Sequence, residues 1–382
     1  MTVTATRQLD APAATPAVGT PRVLFACGGT GGHVYPAIAI ADALRALRPG
    51  AAVAFAGTRD RMEWEAVPKA GYPIHAITVS GFQRGLSASS LKRNLSFPFK
   101  LAKGLGESWR LIGSFDPDVV VGTGGYASGP VGLAGALRGR KLVLQEQNAI
   151  AGATNKLLAG RADRVFVAFD AAQSAFSQDT TVAGNPVRQD LVEADRAEAL
   201  AHFGFPDDAR VLLAFGGSLG ARPINDAVSS ALEPILASPT AHILWAAGKR
   251  YYDELAPRID HERVRLLPYL NRMDLAYAAA DLAVCRSGAI TCSELAVTGT
   301  PSVLVPSPNV TADHQTQNAL ALGDAAIVLP ESELATRFAD VVSTLLTNNA
   351  QLLDMQEAAR AEARPNAART IAEAVIALSP AS

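Results

Sequence analysis

The 382-residue chain is long enough for two domains, and its content of 49% apolar and 18% charged residues is typical of a globular protein with a full core. The net charge of −2 hides an asymmetry, because residues 22–185 carry 18 basic and 11 acidic side chains whereas residues 186–382 carry 15 and 24. The two halves therefore face different electrostatic partners, and we expect no nucleic-acid partner. Cys27, Cys285 and Cys292 fit no zinc spacing and no disulfide framework, so we expect free, buried thiols in a reducing compartment.

Residues 1–20 are rich in Ala, Pro and Thr and lack the pattern of a secretion signal, so we expect a disordered tail. Residues 119–137 carry no charge and approach the length of a membrane span. That stretch contains six glycines and Pro130, however, and it is more typical of a strand, a loop and a helix start. We predict no transmembrane helix.

Short apolar runs alternate with amphipathic stretches along the whole chain, which is typical of a parallel α/β protein whose strands are buried on both faces. The runs lie at residues 22–27, 52–57, 74–79, 118–122, 141–145, 164–168, 210–217, 241–248, 264–269, 281–285, 301–306 and 325–330. They predict two Rossmann-like doubly wound parallel-sheet domains, over residues 21–185 and 186–364. A last helical stretch within 365–382 follows Pro365, and we expect it to pack back on the first domain.

Three glycine-rich loops directly follow predicted strands, at residues 28–33, 122–130 and 216–221. Glycine lets the backbone approach a ligand, and the helix that follows offers free N–H groups to a phosphate. Three such loops favour a nucleotide-binding cleft between the domains, although tight turns without a ligand are the alternative.

The sequence also bears on two other nucleotide-binding classes. No G-x-x-x-x-G-K-[ST] occurs, which argues against a P-loop protein. Gly122, Gly124 and Ala127 fit the dinucleotide fingerprint, and Glu146 follows Gly122 by 24 residues, so a nicotinamide-dependent dehydrogenase is an alternative. Against it, the fingerprint belongs on the first strand of its domain, and here it follows the fourth.

Seven motifs, in this order, closely resemble the peptidoglycan N-acetylglucosaminyltransferase (MurG) family. They are GGTGGHVYPAIAIA (28–41), GTGGYASGP (122–130), EQNAIAGATNKLLA (146–159), GNPVR (184–188), GGSLGA (216–221), CRSGAITCSELA (285–296) and DHQTQNA (313–319). The resemblance runs from about residue 22 to 377. It implies a GT-B fold, with an N-terminal acceptor and membrane-facing domain and a C-terminal donor domain around a deep cleft.

The resemblance also implies an activity. The family transfers N-acetylglucosamine from UDP-N-acetylglucosamine to the 4-hydroxyl of the muramoyl sugar of undecaprenyl-pyrophosphoryl-MurNAc-pentapeptide, with inversion, which converts lipid I to lipid II in peptidoglycan synthesis. No metal or other cofactor is implied, since UDP-N-acetylglucosamine is a substrate. The expected location is peripheral, on the cytoplasmic face of the inner membrane, beside the machinery of cell-wall synthesis, cell shape and division.

The resemblance assigns a set of donor-binding residues. They are Thr30, Gly31, Gly32, Asn148, Arg188, Ser218, Leu270, Ala289, Ile290, Thr291, Cys292, Ser293, Glu294 and Gln315. Backbone N–H groups at Ala289 and Ile290 would hold a phosphate, Glu294 both ribose hydroxyls and Gln315 the sugar hydroxyls. Ser218 would contact the diphosphate, and backbone groups of Leu270 the uracil. The alternatives are a solvated charge for Glu294 and a linker salt bridge for Arg188.

His33 is the candidate general base for the acceptor hydroxyl, because histidine titrates near neutral pH. The alternative is a histidine that only orients the loop or the acceptor diphosphate. Glu146 is the second candidate. The family's HEQN reads QEQN here, with Gln145, and Leu219 stands where a glutamine is common. Asp116 and Asp118 spell the D-x-D of metal-dependent glycosyltransferases, but they precede a strand, and we expect a solvated turn.

Residues 81–106 contain five basic side chains and no acidic one, interspersed with apolar residues. This composition suits an anionic membrane surface. The candidate membrane-facing residues are Phe82, Arg84, Lys92, Arg93, Phe97, Phe99, Lys100 and Lys103. The alternative is an ordinary core helix with a solvated basic face.

Other functions compatible with the pattern are another GT-B enzyme of UDP-sugars, such as a glycolipid synthase or an epimerase, and a non-catalytic nucleotide-binding module at the membrane. The identity of the sugar donor would distinguish another GT-B enzyme from an enzyme that forms lipid II. A non-catalytic module would bind UDP but show no turnover.

Overall fold

A computed structural model describes residues 20–79, 97–217 and 219–380. Within these ranges the strands form two sheets. The first contains β1 (Arg22–Ala26), β2 (Ala52–Gly57), β3 (Ile74–Ala76), β4 (Val119–Gly122), β5 (Lys141–Glu146), β6 (Arg164–Val167) and β7 (Thr181–Val182). The second contains β8 (Arg210–Phe215), β9 (Ala241–Ala246), β10 (Val264–Leu267), β11 (Leu282–Cys285), β12 (Ser302–Leu304) and β13 (Ala326–Val328).

Both sheets are parallel throughout, with strand orders β3-β2-β1-β4-β5-β6-β7 and β10-β9-β8-β11-β12-β13. In each sheet the first three strands are added toward one edge. After β3, and likewise after β10, the chain crosses back and adds the remaining strands toward the other edge, as in a doubly wound fold. The predicted fold class is therefore confirmed. The two-residue strand β7 was not predicted, because two residues carry no periodic signal.

Helices cover both faces of each sheet. Those that precede β8 are α1 (Gly31–Leu47), α2 (Glu63–Lys69), α3 (Phe97–Phe115), α4 (Ser128–Leu137), α5 (Ala153–Ala159), α6 (Asp190–Glu193) and α7 (Arg196–Phe203), of which α6 and α7 pack in a core cluster of the second sheet. Those of the second half are α8 (Arg222–Ser230), α9 (Leu232–Leu236), α10 (Lys249–Leu255), α11 (Met273–Ala279), α12 (Ala289–Thr298), α13 (His314–Leu320), α14 (Leu334–Thr347), α15 (Asn349–Glu362) and α16 (Ala367–Leu378).

Each sheet separates two apolar clusters, one on each of its faces. The central strands are buried on both sides, which is why β1 and β9 consist of apolar residues almost without interruption. Phe25 stacks on Phe55 between neighbouring strands, at 5.1 Å between ring centroids. All three cysteines are free and buried, as predicted, and burial raises the pKa of each thiol.

The chain passes between the domains twice, and the two crossings touch. A Cβ at Gly184 would lie 2.3 Å from Cβ of Arg364, so only glycine allows this approach. After the second crossing, α16 packs against α1 and places Ile371, Ala372 and Val375 in a core cluster of the N-terminal domain. The N-terminal domain is therefore assembled from two distant parts of the sequence.

None of the helices in the described ranges is both long enough and apolar enough to cross a membrane.

Candidate functional site

The glycine-rich loops lie at the carboxyl edges of the two sheets, where the strand order reverses. β1 and β4 are neighbours, so the loops at 28–33 and 122–130 lie side by side. β8 and β11 are neighbours in the second sheet, so the loop after β8 lies beside residues 286–288. Ligands of open α/β sheets bind at such switch points.

Hydrogen bonds between buried amides bring the two edges together. Asn318 on α13 accepts a 2.8 Å bond from the N–H of Ala149 through Oδ1, and its Nδ2 donates to Oδ1 of Asn148 at 3.3 Å. The same Nδ2 donates to the carbonyl of Ser287 at 3.3 Å. The segment after β5 is therefore fixed against α13 and the residues that precede α12. The cleft opens between the two sheet edges.

The helix α12 begins at the cleft, with Gly288 as an extended N-cap. The N–H of Cys292 donates to the carbonyl of Gly288 at 2.9 Å, so the N–H groups of Ala289, Ile290 and Thr291 are the orphan donors of the first turn. These groups can hold a phosphate at the positive end of the helix dipole. Cys292, predicted to contact the donor, has a fully buried side chain and an N–H that is already used, so this structure leaves it no free donor group for a ligand.

Glu294 lies on the same helix and is paired with a phenol. The hydroxyl of Tyr277 on α11 donates to Glu294 Oε2 at 3.0 Å. Burial raises the pKa of Glu294 from its ordinary 4.5 to about 7, while the Tyr277 bond and the charge of Arg188 lower it and Asp190 raises it. Glu294 is therefore no freely solvated charge. Arg188 forms an ion pair with Asp190 at 3.2 Å, as in the alternative given for it, and its donor contact stays a prediction.

Three further predicted donor residues occupy different surroundings. Leu270 is buried after β10, with its side chain in the core, which leaves only its backbone for a ligand. Gln315 accepts a 2.8 Å bond from the N–H of Ser307 and so ties α13 to the loop after β12. Ser293 donates to the carbonyl of Ala289 and accepts from Asn185 Nδ2 at 2.9 Å, so its hydroxyl faces the domain linker.

The backbone of the turn before α13 is strained, and the sequence did not predict this strain. Ala312 and Asp313 have φ values of 56° and 50°, a region that residues other than glycine rarely adopt. Such strain is concentrated at ligand-binding segments. Here it positions the first turn of α13, and with it Gln315.

His33 is the third residue of α1, and Thr30, Gly31 and Gly32 form the cap and first two positions of that helix. The His33 carbonyl accepts a 2.8 Å bond from the Thr123 hydroxyl, and Nδ1 of its ring lies 3.0 Å from Oε1 of Gln147. These two contacts hold the imidazole at a defined place. His33 is also partly exposed, so its ring is accessible from the cleft.

Glu146 is corrected as a candidate base. Its side chain is 2% exposed. Oε1 accepts from the N–H of Asn148 at 3.0 Å, and Oε2 accepts from the N–H of Gly152 at 2.9 Å and from Asn155 Nδ2 at 2.8 Å. A carboxylate whose acceptor sites are filled by loop donors fixes residues 146–155 and does not reach an acceptor hydroxyl.

Glu63 on α2 fixes the first glycine loop in the same way, by accepting hydrogen bonds from its backbone. The sequence analysis did not identify this residue. It is fully buried, and its carboxylate accepts from the N–H of Gly29 at 3.1 Å and from the N–H and hydroxyl of Thr58 at 3.0 and 2.6 Å. A charged residue on a short amphipathic stretch gives no sign that it turns inward. Asn185 and Asn318 were within recognised motifs, but no role was assigned to them.

Asp116 and Asp118 lie at the opposite edge of the sheet, before β4. Asp116 pairs with Arg140, and Asp118 accepts from the N–H of Arg22 at 2.8 Å. The described residues contain no cluster of three or more His, Cys, Asp or Glu side chains that could hold a metal ion.

The described part of the candidate membrane surface lies on α3. Phe99 is 80% exposed, Leu101 and Trp109 are exposed, and Lys103 lies 3.8 Å from Glu107. Lys100 is partly exposed. Outside the described residues are Ser218 and the candidate membrane residues Phe82, Arg84, Lys92 and Arg93, as well as the side chain of Phe97.

Comparison with known proteins agrees with this architecture. The glycosyltransferase family 28 N-terminal domain matches residues 23–167, and the glycosyltransferase family 28 C-terminal domain matches residues 211–371. The UDP-N-acetylglucosamine–N-acetylmuramyl-(pentapeptide) pyrophosphoryl-undecaprenol N-acetylglucosamine transferase of Salinibacter ruber is 55% identical over 94% of this chain and 97% of its own length. The protein of that name from Chlorobaculum tepidum is 42% identical over 94% and 99%.

Among solved structures, MurG of Acinetobacter baumannii superposes with a TM-score of 0.75 at 32% identity, covering 93% of this chain and 99% of that one. The UDP-GlcNAc 2-epimerase of Neisseria meningitidis, bound to UDP-GlcNAc, superposes with a TM-score of 0.63 at 14% identity, over 92% and 98%, and shares the fold alone. The predicted GT-B fold is confirmed. With both domain models matched in order and near-complete coverage of its relatives, this chain belongs to glycosyltransferase family 28, within its MurG group of N-acetylglucosaminyltransferases.

Proposed function

We propose that this protein transfers N-acetylglucosamine from UDP-N-acetylglucosamine to the 4-hydroxyl of the muramoyl sugar of undecaprenyl-pyrophosphoryl-MurNAc-pentapeptide, forming lipid II from lipid I. The observation that carries the proposal is the 55% identity, over 94% of the chain, to a transferase named for this donor and acceptor. The cleft between two switch points supports it, since each sheet edge offers one side of a two-substrate site.

The donor would lie against the C-terminal domain. Its diphosphate would accept hydrogen bonds from the N–H groups of Ala289, Ile290 and Thr291, and Glu294 would accept from the two ribose hydroxyls. The uracil would meet backbone groups at Leu270, and Gln315 would contact the transferred sugar through its amide nitrogen. Arg188 would add positive charge near the nucleotide.

The chemical step is one displacement at the anomeric carbon. The acceptor oxygen forms the new bond while the bond to the UDP oxygen breaks, and the acceptor proton passes to His33. Inversion of the donor gives a β linkage. The departing diphosphate is stabilised by the N-terminus of α12, and we propose that this replaces a divalent cation.

The acceptor is lipid-linked, so the active cleft must work at a membrane surface. We propose that α3 contributes to this contact, because Phe99, Leu101 and Trp109 expose apolar groups beside Lys100 and Lys103. Apolar insertion together with attraction to anionic lipid suits a peripheral protein. The cytoplasmic face is the side on which the nucleotide donor would be available.

The test is transfer of labelled N-acetylglucosamine from its UDP donor to a short-chain lipid I analogue, with EDTA present. Labelled lipid II analogue under chelation is the expected result. No product from a folded protein that binds UDP would refute the proposed acceptor. Product that appears only after Mg²⁺ is added would refute the metal-free step alone.

A further inference from the structure

A row of buried amide side chains connects His33 in the N-terminal domain with α12 in the C-terminal domain. His33 Nδ1 lies 3.0 Å from Gln147 Oε1, and Gln147 Nε2 contacts Gln145 Oε1. Gln145 Nε2 lies 3.0 Å from Asn185 Oδ1, and Asn185 Nδ2 reaches the carbonyl of Ala289 at 3.2 Å. Gln145, Gln147 and Asn185 are each at most 1% exposed, so water does not compete for these bonds.

The orientation of each amide is fixed by backbone carbonyls, which can only accept. Gln147 Nε2 lies 2.6 Å from the carbonyl of Thr123 and 3.2 Å from that of Gln145. A flipped amide would bring two oxygens together there. The Gln147 nitrogen therefore faces the carbonyls, and its Oε1 faces His33.

The same reasoning fixes the other end. Asn185 Nδ2 lies 3.0 Å from the carbonyl of Gln147 and 3.2 Å from that of Ala289, so its Oδ1 must point to Gln145. Gln145 then donates through Nε2 and accepts through Oε1. All bonds in the row run in one direction, from the imidazole of His33 to the first turn of the helix at the candidate phosphate site.

Gln147 Oε1 can only accept a hydrogen bond, so the ring nitrogen of His33 that faces it, Nδ1, has to be the donor. We propose that Gln147 is a positioning residue that fixes His33 as the tautomer protonated at Nδ1, which leaves Nε2 as the basic nitrogen for the acceptor hydroxyl. This inference rests on the proposed function for the identity of the reaction. The tautomer itself follows from the hydrogen bonds, because the partner of one ring nitrogen decides where the proton sits.

The backbone at Thr123 and Gly124 leaves room for the contact between His33 and Gln147 and binds both residues. Gly124 has φ +92°, and a Cβ at that position would lie 2.8 Å from His33 Nδ1 and 3.4 Å from Gln147 Oε1. The preceding residue, Thr123, binds both partners, since its hydroxyl donates to the His33 carbonyl and its carbonyl accepts from Gln147. Gln145, where the family commonly has histidine, completes the row without carrying a charge.

The proposal is tested by ¹⁵N NMR of the full chain labelled at its six histidines, above the ordinary imidazole pKa of about 6.5. The His33 signals are assigned by their loss in His33→Ala. The wild-type ring is expected to carry its proton at Nδ1, and Gln147→Leu to move that proton toward Nε2. In Gln147→Leu, kcat should fall roughly 10- to 100-fold with little change in the KM for the donor, short of the roughly 10²–10⁴-fold that a general base supplies.

Two variants separate positioning from folding. Gln147→Asn keeps an amide, with an oxygen that can accept from His33 and a nitrogen that can donate to the carbonyls, on a side chain one methylene shorter, and it is expected to retain part of the Nδ1 proton and part of kcat. Asn225→Leu removes a buried amide of the other domain, which donates to the Ala247 carbonyl at 2.9 Å, and should lower stability without altering the His33 signals. A wild-type proton at Nε2, or an unchanged spectrum and kcat in Gln147→Leu, overturns the proposal. If Gln147→Leu does not fold, the wild-type and Gln147→Asn spectra decide. Absence of transfer by the wild type would refute the proposed function instead, and the tautomer would still be read.

Discussion

The phenol of Tyr277 donates a 3.0 Å hydrogen bond to the carboxyl of Glu294, one side chain from α11 and the other from α12. The pair sits where the ribose of a UDP-sugar is proposed to lie. Since burial raises the pKa of Glu294 to about 7, this carboxyl changes its charge near neutral pH.

Uridine binding should therefore strengthen as pH rises through about 7. The ionised carboxyl accepts from both ribose hydroxyls, and the protonated form loses part of that capacity, so affinity about one pH unit below the pKa is lower by at most about tenfold. Calorimetric titration with uridine measures this without interference from ligand phosphates. Glu294→Gln should bind weakly at every pH. A wild-type affinity that does not vary with pH would contradict the assignment.

Glu294→Gln should also stabilise the folded protein under alkaline conditions. The folded-state pKa lies above the ordinary value of 4.5, so the folded protein binds the proton more tightly. That contribution is complete below about pH 4.5 and is lost as pH rises through about 7. At about pH 8 the variant should gain on the order of 1–3 kcal/mol in free energy of unfolding, and at about pH 4 little or nothing. Urea unfolding at both pH values measures the difference, and an equal effect at both would reject it.

His33 and Glu146 should respond differently to substitution. His33→Ala should lower kcat by roughly 10²–10⁴-fold and leave the unfolding temperature nearly unchanged. Glu146→Gln should instead lower the free energy of unfolding by about 1–3 kcal/mol, because the backbone N–H of Gly152 and the side-chain Nδ2 of Asn155 lose their carboxylate acceptor. Steady-state kinetics and thermal unfolding of both variants provide the comparison. A large loss of kcat in a Glu146→Gln protein of normal stability would restore Glu146 as the base.

Phe99 and Lys103 should contribute to binding of anionic phospholipid vesicles. Lys103→Gln should weaken binding by about 1 kcal/mol at low salt, and Phe99→Ser by about 1–2 kcal/mol at any salt concentration. Vesicle sedimentation at two ionic strengths separates the two effects. Leu353→Ser is the matched control, since Leu353 is 59% exposed on the C-terminal domain and should not alter binding. Equal losses in the control and in Phe99→Ser would rule out α3 as the contact surface.

Asn318→Ala should loosen the connection between the domains. The substitution leaves the N–H of Ala149 and the carbonyl of Ser287 without their partner, at a cost of about 1–3 kcal/mol. Chemical denaturation should then show a broader transition or two transitions. Gln317→Ala on the same helix has an exposed side chain and should leave the transition unchanged. A wild-type transition in Asn318→Ala would show that this contact does not couple the domains.

The strands were predictable because their local composition is decisive. Val119–Gly122 and Leu282–Cys285 are buried on both faces, so an uninterrupted apolar run marks each strand. The motifs placed Ala289, Ile290 and Glu294 on one helix for the same local reason. The sequence could not show which neighbours a side chain meets after folding. Glu146 was read as a base because the donors that occupy it, at Gly152 and Asn155, are brought round only by the turn after β5.

Cys292 illustrates the same limit on a helix. Its spacing within the motif is that of a ligand-binding segment, yet the side of the helix on which it lies is set by packing against the sheet. The His33–Gln147 contact spans 114 residues of sequence, and the contact of Asn318 with Ala149 spans 169. Contacts at such separations depend on strand order and domain closure, which no local pattern specifies.

The packing of α16 on α1 has a consequence for how the chain is made. Ile371 and Val375 belong to the same apolar cluster as Phe25 and Val34, which leave the ribosome some 340 residues earlier. Domains generally fold as units during synthesis, in order from the N-terminus. Here the N-terminal domain has to wait with part of its apolar surface uncovered until the C-terminal domain has been synthesised, so a chaperone that recognises exposed apolar helices would have a defined substrate on the nascent chain.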